Sequence, residues 1–250
     1  VLDRLRQETP AFGIETVMLS PEGFRTVPMP SYPEIRLVLC RPGAVGRRIE
    51  EMGADYIHIA TEGPIGMMAR SWCLKQKRGF TTSFHTRFPE YIAARLPVPV
   101  SISYAWLRRF HNAGLATMVS TERLGAELEA RGFDKTCIWA RAIDTERFTP
   151  GEPADLGVEG PVFLYVGRVA VEKGIERFLS LDLPGTKVVV GEGPQRAALE
   201  RRFPAAKFLG LRTGDELVGI YRAADVFVFP SKTDTLGLVM MEAMACGVPV

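Results

Sequence analysis

The sequence is poor in the residues that build metal centres. It holds three histidines and four cysteines in 250 positions. The cysteines, Cys40, Cys73, Cys137 and Cys246, form no C-x-x-C pair, and none stands at metal-ligand spacing from a histidine. No metal site is therefore expected, and the thiols read as reduced and mostly buried, as in a cytosolic protein. Charge of one sign is lacking too. Lysine plus arginine number 31 and aspartate plus glutamate 29, a formal net charge of +2. No strong overall field draws the chain toward nucleic acid, so affinity for an anion must come from local clusters. No apolar run approaches the roughly 20 residues that span a bilayer, and no signal peptide opens the chain. The expected location is cytoplasmic, with the inner face of the membrane as an alternative.

What is present is an ordinary globular balance. Apolar residues make up 46% and charged residues 24%, which argues against disorder. The length suits one large domain or two α/β domains. Apolar strands alternate with amphipathic helices, the rhythm of parallel sheets with helices on both faces. In the first half, strands are expected at Ile14–Leu19, Tyr56–Ala60, Phe80–Phe84, Ala116–Ser120 and Cys137–Ala140. Helices are expected at Gly43–Met52, Gly66–Lys77 and Thr121–Arg131, the last with Thr121 as cap and Gly132 as stop. Arg25–Arg36 is proline-rich and reads as a loop or a short antiparallel excursion. Arg87–Gly114 reads as a long connection, of the kind that is often functional.

Thr149–Pro161 is the linker candidate, with Pro150, Gly151, Pro153, Gly157, Gly160 and Pro161. A second series follows: strands Val162–Val166, Lys187–Val190, Lys207–Leu209 and Val226–Phe229, and helices Glu172–Leu181, Gln195–Phe203, Asp215–Ala223 and Leu236–Cys246. The expected domains are residues 1–150 and 151–250. Together they imply two Rossmann-like domains facing each other across a cleft. Both ends read as cut. Val1–Arg6 looks like a helix already under way, and Gly247–Val250 like a strand beginning.

Two segments carry chemistry. Gly167-Arg168-Val169-Ala170-Val171-Glu172-Lys173-Gly174 follows a strand directly. Gly167 permits close backbone approach, and Arg168 and Lys173 place two cations beside a helix start, where a diphosphate is well held. A solvated basic turn is the plainer alternative. Ser231-Lys232-Thr233-Asp234-Thr235-Leu236-Gly237-Leu238 likewise follows a strand and opens a helix. The free N–H groups of Thr235, Leu236, Gly237 and Leu238 suit a phosphate. Asp234 suits sugar hydroxyls or, alternatively, a helix N-cap. Glu242 lies among Met240, Met241, Ala243 and Met244 and needs a partner there, either a ribose diol or a buried ion pair.

G-R-x-x-x-E-K-G, followed by a carboxylate, seven residues and a glutamate, resembles the retaining glycosyltransferases of family 4, which have the GT-B fold. The resemblance implies that Arg168 and Lys173 bind the donor diphosphate, that Asp234 contacts the donor sugar and that Glu242 holds the ribose. The first carboxylate is usually glutamate in that family, and aspartate reaches less far. Gly191-Glu192-Gly193-Pro194 resembles the family's glycine turn, which puts Gly193 at the donor. Phe208-Leu209-Gly210, with Leu211 next, resembles the strand end beside the nucleotide base. Phe80–Tyr91 places His85 at a strand's carboxyl end, where it resembles the family histidine facing the donor sugar; a structural strand-end histidine is the alternative. In Tyr56–Pro64, His58 reads as structural and Glu62 as a cleft residue. Ala142–Pro150 resembles the motif before the linker, with Ala142 in place of the usual glycine. The resemblance covers nearly the whole chain; the family's first strand, its glycine-rich loop and the closing elements of the second domain would lie beyond the ends.

The resemblance implies transfer of a hexose from a GDP- or UDP-linked sugar to an acceptor hydroxyl by front-face displacement. The donor is a substrate, and no cofactor or metal is expected. No D-x-D motif occurs, which disfavours a metal-dependent GT-A enzyme. Tyr104–Asn112 interleaves aromatic and basic residues, which suits either peripheral contact with an anionic membrane or a core helix with a basic edge. The segments around His85 and Arg108 resemble the mannosyl- and glucosyl-lipid branch, so the acceptor is a lipid or a glycan. A GT-B nucleotide-sugar epimerase and a binding-only fragment are the rival readings.

Overall fold

The computed structural model describes residues 2–29, 32–93 and 97–250. Val1, Pro30, Ser31 and Ala94–Leu96 belong to the expected opening helix, the proline-rich stretch and the long connection; they lie outside the described residues. The chain forms two compact units. The first comprises Val1–His85, Ala105–Met118 and Glu127–Cys137, and the second Thr86–Tyr104, Val119–Ala126 and Ile138–Val250. Segments from both sides of residue 150 therefore build the second unit.

The first unit opens with helix α1 (Leu2–Glu8) and a 3₁₀ turn. Ile14–Leu19 is not a strand. Ile14 and Val17 are exposed there, and no ladder partner meets them among the described residues. The proline-rich stretch is the antiparallel excursion: β1 (Arg25–Met29) pairs with β2 (Tyr32–Leu39), with a register shift at Pro28/Met29. A proline lacks the N–H that a regular ladder needs, so a shift falls naturally there. Next come α2 (Pro42–Met52), β3 (His58–Ile59), α3 (Pro64–Lys75) and β4 (Thr81–Ser83). The region from Arg87 to Gly114 is not a loop, because it carries α4 (Phe88–Ala93) and α5 (Val100–His111). Then follow β5 (Ala116–Val119), α6 (Glu122–Ala130) and β6 (Thr136–Ile138), and the sheet order is β3-β4-β5-β6. Thr121 caps α6, its Oγ1 accepting from the Leu124 N–H at 3.1 Å. Val45 and Ile49 of α2, Ala69 and Cys73 of α3, Ile59, Phe80 and Phe110 close one apolar core.

The second unit holds a fully parallel sheet of β7 (Val162–Val166), β8 (Thr186–Val190), β9 (Lys207–Gly210) and β10 (Val226–Phe227). Its order is β10-β7-β8-β9. Strand pleat divides its side chains between two cores. Val162, Leu164, Val166, Val188 and Val190 face α9 (Gly214–Arg222) and α10 (Leu238–Ala245) through Val218, Tyr221 and Ala243. Tyr165 and Val189 face α7 (Ile175–Leu179) and α8 (Arg196–Arg202) through Ile175, Phe178 and Leu199. The expected helix Glu172–Leu181 is broken. Val171–Lys173 is a 3₁₀ turn, Gly174 takes φ +65°, and only then does α7 begin. The helix expected from Leu236 starts at Leu238, behind Gly237 at φ +75°.

Candidate functional site

In the sheet β10-β7-β8-β9 the chain runs from β7 outward to β8 on one side and returns to β10 on the other. The strand order reverses between β7 and β10, and ligands of open α/β sheets bind in the crevice outside the carboxyl ends at such a point. The two loops that leave β7 and β10 there carry the two segments singled out by their residues, 167–174 and 231–238.

Backbone bonds lace these loop starts together. Gly167 N–H donates to the Val190 carbonyl (2.9 Å), Gly191 N–H to Gly210 (2.8 Å), Val169 N–H to Glu192 (2.8 Å) and Gln195 N–H to Val169 (3.0 Å). The glycines answer to this lacing. A Cβ on Gly191 would sit 1.9 Å from the Gly167 carbonyl oxygen, and one on Gly193 would sit 2.3 Å from that of Val169. Close approach of protein backbone to protein backbone is thus what requires Gly191 and Gly193. Buried Tyr165 donates to the Arg168 carbonyl at 2.9 Å and pins the same turn. Burial above all, then the carboxylates of Asp234 and Glu172 and the Tyr91 hydroxyl, push the Tyr165 hydroxyl far above the ordinary tyrosine range, so it stays a donor.

The structure brings Lys173 and Asp234 together. Lys173 Nζ donates to Asp234 Oδ1 at 2.5 Å, with side-chain exposures of 16% and 22%. Asp234 is therefore no helix cap. Its Oδ2 is buried and has no hydrogen-bond partner among the described residues, a position that native carboxylate oxygens rarely hold. Thr233 Oγ1 donates to the Glu172 carbonyl at 3.2 Å, joining the two loops a second time. Ser120 Oγ donates to the Thr235 carbonyl at 2.9 Å. A lysine ammonium has three donors and Asp234 takes one, which leaves capacity for phosphate oxygens. Half-buried Arg168 stands near enough to favour the ionised form of the Tyr91 hydroxyl.

Glu242 lies on α10 and is held by a different partner. Its Oε2 accepts from the Tyr221 hydroxyl at 2.8 Å. Burial raises the Glu242 carboxyl above its usual range and that hydrogen bond pulls it back in part. The Tyr221 hydroxyl is pushed far upward by burial and by Glu242. The ion-pair alternative for Glu242 thus gives way to a neutral hydroxyl donor. Thr235, Leu236 and Gly237 precede α10 rather than forming its first turn, so their N–H groups are not stacked along a helix axis. Leu211 follows β9 and is 65% exposed. An open groove of about 560 Å³ beside the loops is lined by Glu172, Gln195, Lys232 and Thr233 among others and mixes both signs of charge.

His85 belongs to the first unit, half-buried and two residues past the end of β4. His58 is structural: its ring nitrogens meet Thr81 Oγ1 at 2.8 Å and Ser83 Oγ at 2.7 Å. Glu62 is tied inward, with Oε1 3.0 Å from His111 Nε2, while His111 Nδ1 lies 2.8 Å from Thr82 Oγ1. The aromatic and basic segment on α5 divides by face. Tyr104, Leu107, Phe110 and His111 are buried, whereas Trp106, Arg108 and Arg109 are exposed. Sequence reasoning missed Tyr91, Tyr165 and Tyr221 as partners of the site, because a tyrosine within an apolar stretch reads as core.

The family model for glycosyltransferase family 4 matches residues 5–147, and that for glycosyl transferases group 1 matches residues 160–250. A sulfoquinovosyl transferase of Arabidopsis thaliana is 32% identical over 91% of this chain and 48% of its own length. A GDP-mannose-dependent alpha-mannosyltransferase of Mycobacterium tuberculosis is 29% identical over 82% of this chain and 56% of its own. The chain thus spans about half the length of these curated relatives. Among solved structures, a sucrose-phosphate synthase of Thermosynechococcus elongatus superposes with a TM-score of 0.70 at 20% identity, covering 100% of this chain and 74% of that one. HepE of Anabaena, in complex with UDP, gives 0.62 at 18% identity, covering 82% and 62%. These likenesses show the GT-B fold of Rossmann-like α/β domains, and with the family models they place this chain in glycosyltransferase family 4.

Proposed function

We propose that the chain is the core of a retaining hexosyltransferase that takes a nucleotide-diphosphate sugar as donor and passes the sugar to an acceptor hydroxyl. The observation that carries this reading is the Lys173–Asp234 pair at the switch point between β7 and β10, with the second carboxylate oxygen buried and unpartnered among the described residues. Arg168 and Lys173 receive the diphosphate, Asp234 Oδ2 takes a sugar hydroxyl, and Glu242, held by Tyr221, takes the ribose diol. Gly167, Gly193 and residues 235–238 shape the backbone around the phosphates, and Leu211 lies toward the base. In the reaction the bond from C1 to the phosphate oxygen breaks. The acceptor oxygen bonds to C1 on the same face, and its proton goes to the departing phosphate. The two cations hold the charge that grows on the leaving group, so no metal is needed for that task.

GDP-mannose is the donor that the mannosyltransferase relatives favour by name. A lipid acceptor fits the exposed Ile102, Trp106 and Arg109 face of α5, since aromatic and basic residues together suit an anionic interface. No helix among the described residues is long and apolar enough to cross a membrane. The test is a donor screen with the full-length protein and a lipid acceptor, with the product's anomeric configuration read by NMR. Transfer from GDP-mannose with the α configuration kept is expected. Inversion at C1, or an epimerised nucleotide sugar with no transfer, would overturn the reading.

A further inference from the structure

Ser120 follows β5, precedes α6 and belongs to the second unit. It is 7% exposed. Its main chain is held from both sides. The Val119 carbonyl accepts from the Trp139 N–H at 2.8 Å, and the Thr121 carbonyl accepts from the Gly125 N–H at 3.0 Å. The side chain reaches the loop ahead of α10, where Ser120 Oγ donates to the Thr235 carbonyl at 2.9 Å. Residues 231–237 of that loop form neither helix nor strand. Side-chain bonds restrain them instead: Lys173 at Asp234, the Thr233 hydroxyl at the Glu172 carbonyl, and Ser120 at Thr235. The Leu236 N–H shares a peptide with the Thr235 carbonyl, and it pairs with no main-chain carbonyl among the described residues.

We infer that Ser120 is a positioning residue for the donor diphosphate: by holding the Thr235 carbonyl it aims the Leu236 N–H at a phosphate oxygen. The reasoning is geometric. No cis peptide bond occurs among the described residues, so the peptide between Thr235 and Leu236 is trans. In a planar trans peptide the carbonyl and the N–H point in opposite directions. Fixing the carbonyl on Ser120 therefore fixes the N–H on the far side of the same plane. The serine is the stiffer partner, because main-chain bonds hold the residues on either side of it, whereas the loop has no ladder of its own. Without the hydroxyl the carbonyl is free to turn, and the N–H turns with it. With the hydroxyl the N–H is set before a donor arrives, so binding does not have to order it. Ser120 itself meets no donor atom in this role.

The inference rests on the donor reading above, and the experiment separates the two. Full-length wild type and Ser120→Ala are titrated with GDP and with guanosine, which lacks the phosphates. The Leu236 amide is followed by NMR on isotope-labelled leucine and assigned with Leu236→Met. Ser120→Ala is expected to bind guanosine within about twofold of wild type and GDP about five- to twentyfold more weakly, the scale of one hydrogen bond to a charged group. In wild type the Leu236 amide proton should move downfield when GDP is added and not when guanosine is added. In Ser120→Ala that shift should shrink at saturating GDP. Equal loss for GDP and guanosine would mark a general structural role and overturn the inference, as would undiminished GDP binding. A wild-type Leu236 amide that GDP leaves in place would overturn it too, with no variant needed. If wild type bound no GDP, the donor reading would fall, and the inference with it.

Discussion

Two carboxylates at this site are set to different tasks by their partners. Asp234 is held by an ammonium at 2.5 Å, whereas Glu242 is held by a neutral hydroxyl at 2.8 Å. For Asp234, removing either member of the pair leaves the other charge half-desolvated. Lys173→Met and Asp234→Asn are each expected to cut kcat about 10²–10³-fold, the range typical for loss of one preorganised electrostatic partner. Both should stay folded by circular dichroism, and near-normal turnover in either would remove that residue from the mechanism. Glu242 carries a pH signature. Its carboxyl is raised in the folded state, mainly by burial, so the folded form takes up a proton before the unfolded form does. Its contribution to stability is full below the unfolded value and is lost as pH rises through the folded one. Glu242→Gln should therefore melt higher than wild type at neutral pH and lose that advantage toward pH ~4. It should also bind the donor more weakly. A melting series across pH checks this, and a variant less stable than wild type throughout would refute it.

At the scale of elements, the loops depend on how tightly three strand ends approach one another. Gly191→Ala would force a Cβ to within 1.9 Å of a carbonyl oxygen at a backbone φ of +134°. It is expected to cost at least about 3 kcal/mol, because strain and a backbone clash add. Gly13→Ala is the control: φ is +71° but nothing lies within 4 Å of the added atom, so about 1–2 kcal/mol is expected. Leu164, fully buried on β7, should cost about 2–5 kcal/mol when cut to alanine. Chemical denaturation measures all three. The same elements show what could be read beforehand. Val162–Val166 was legible to the residue, because a continuous apolar run between turn signals fits a strand buried on both faces. Ile14–Leu19, where Glu15 and Thr16 interrupt the apolar residues, makes no ladder among the described residues; pairing is a tertiary property that composition does not carry. The break at Gly174 and the late start of α10 were missed because loop geometry depends on neighbours such as Pro230, whose carbonyl oxygen lies 3.1 Å from where a Cβ on Gly174 would be.

For the whole molecule, the motif residues were legible as chemistry and their pairings were not. Arg168, Lys173, Asp234 and Glu242 stood out because charge next to glycine, or within a methionine-rich helix, asks for a partner. That Asp234 would answer Lys173, and Tyr221 answer Glu242, depends on a sheet that returns β10 beside β7, so residues sixty-one positions apart meet. The tyrosines that hold the site carry no such signal in sequence. The central claim is that the diphosphate of an activated sugar sits on the loops after β7 and β10. A crystal structure of the full-length protein with GDP-mannose bound tests it most directly. The account predicts phosphate oxygens within hydrogen-bond distance of Lys173 Nζ and the Arg168 guanidinium, with a sugar hydroxyl on Asp234. Density for the nucleotide at any other place, with Lys173 and Asp234 untouched, would contradict it.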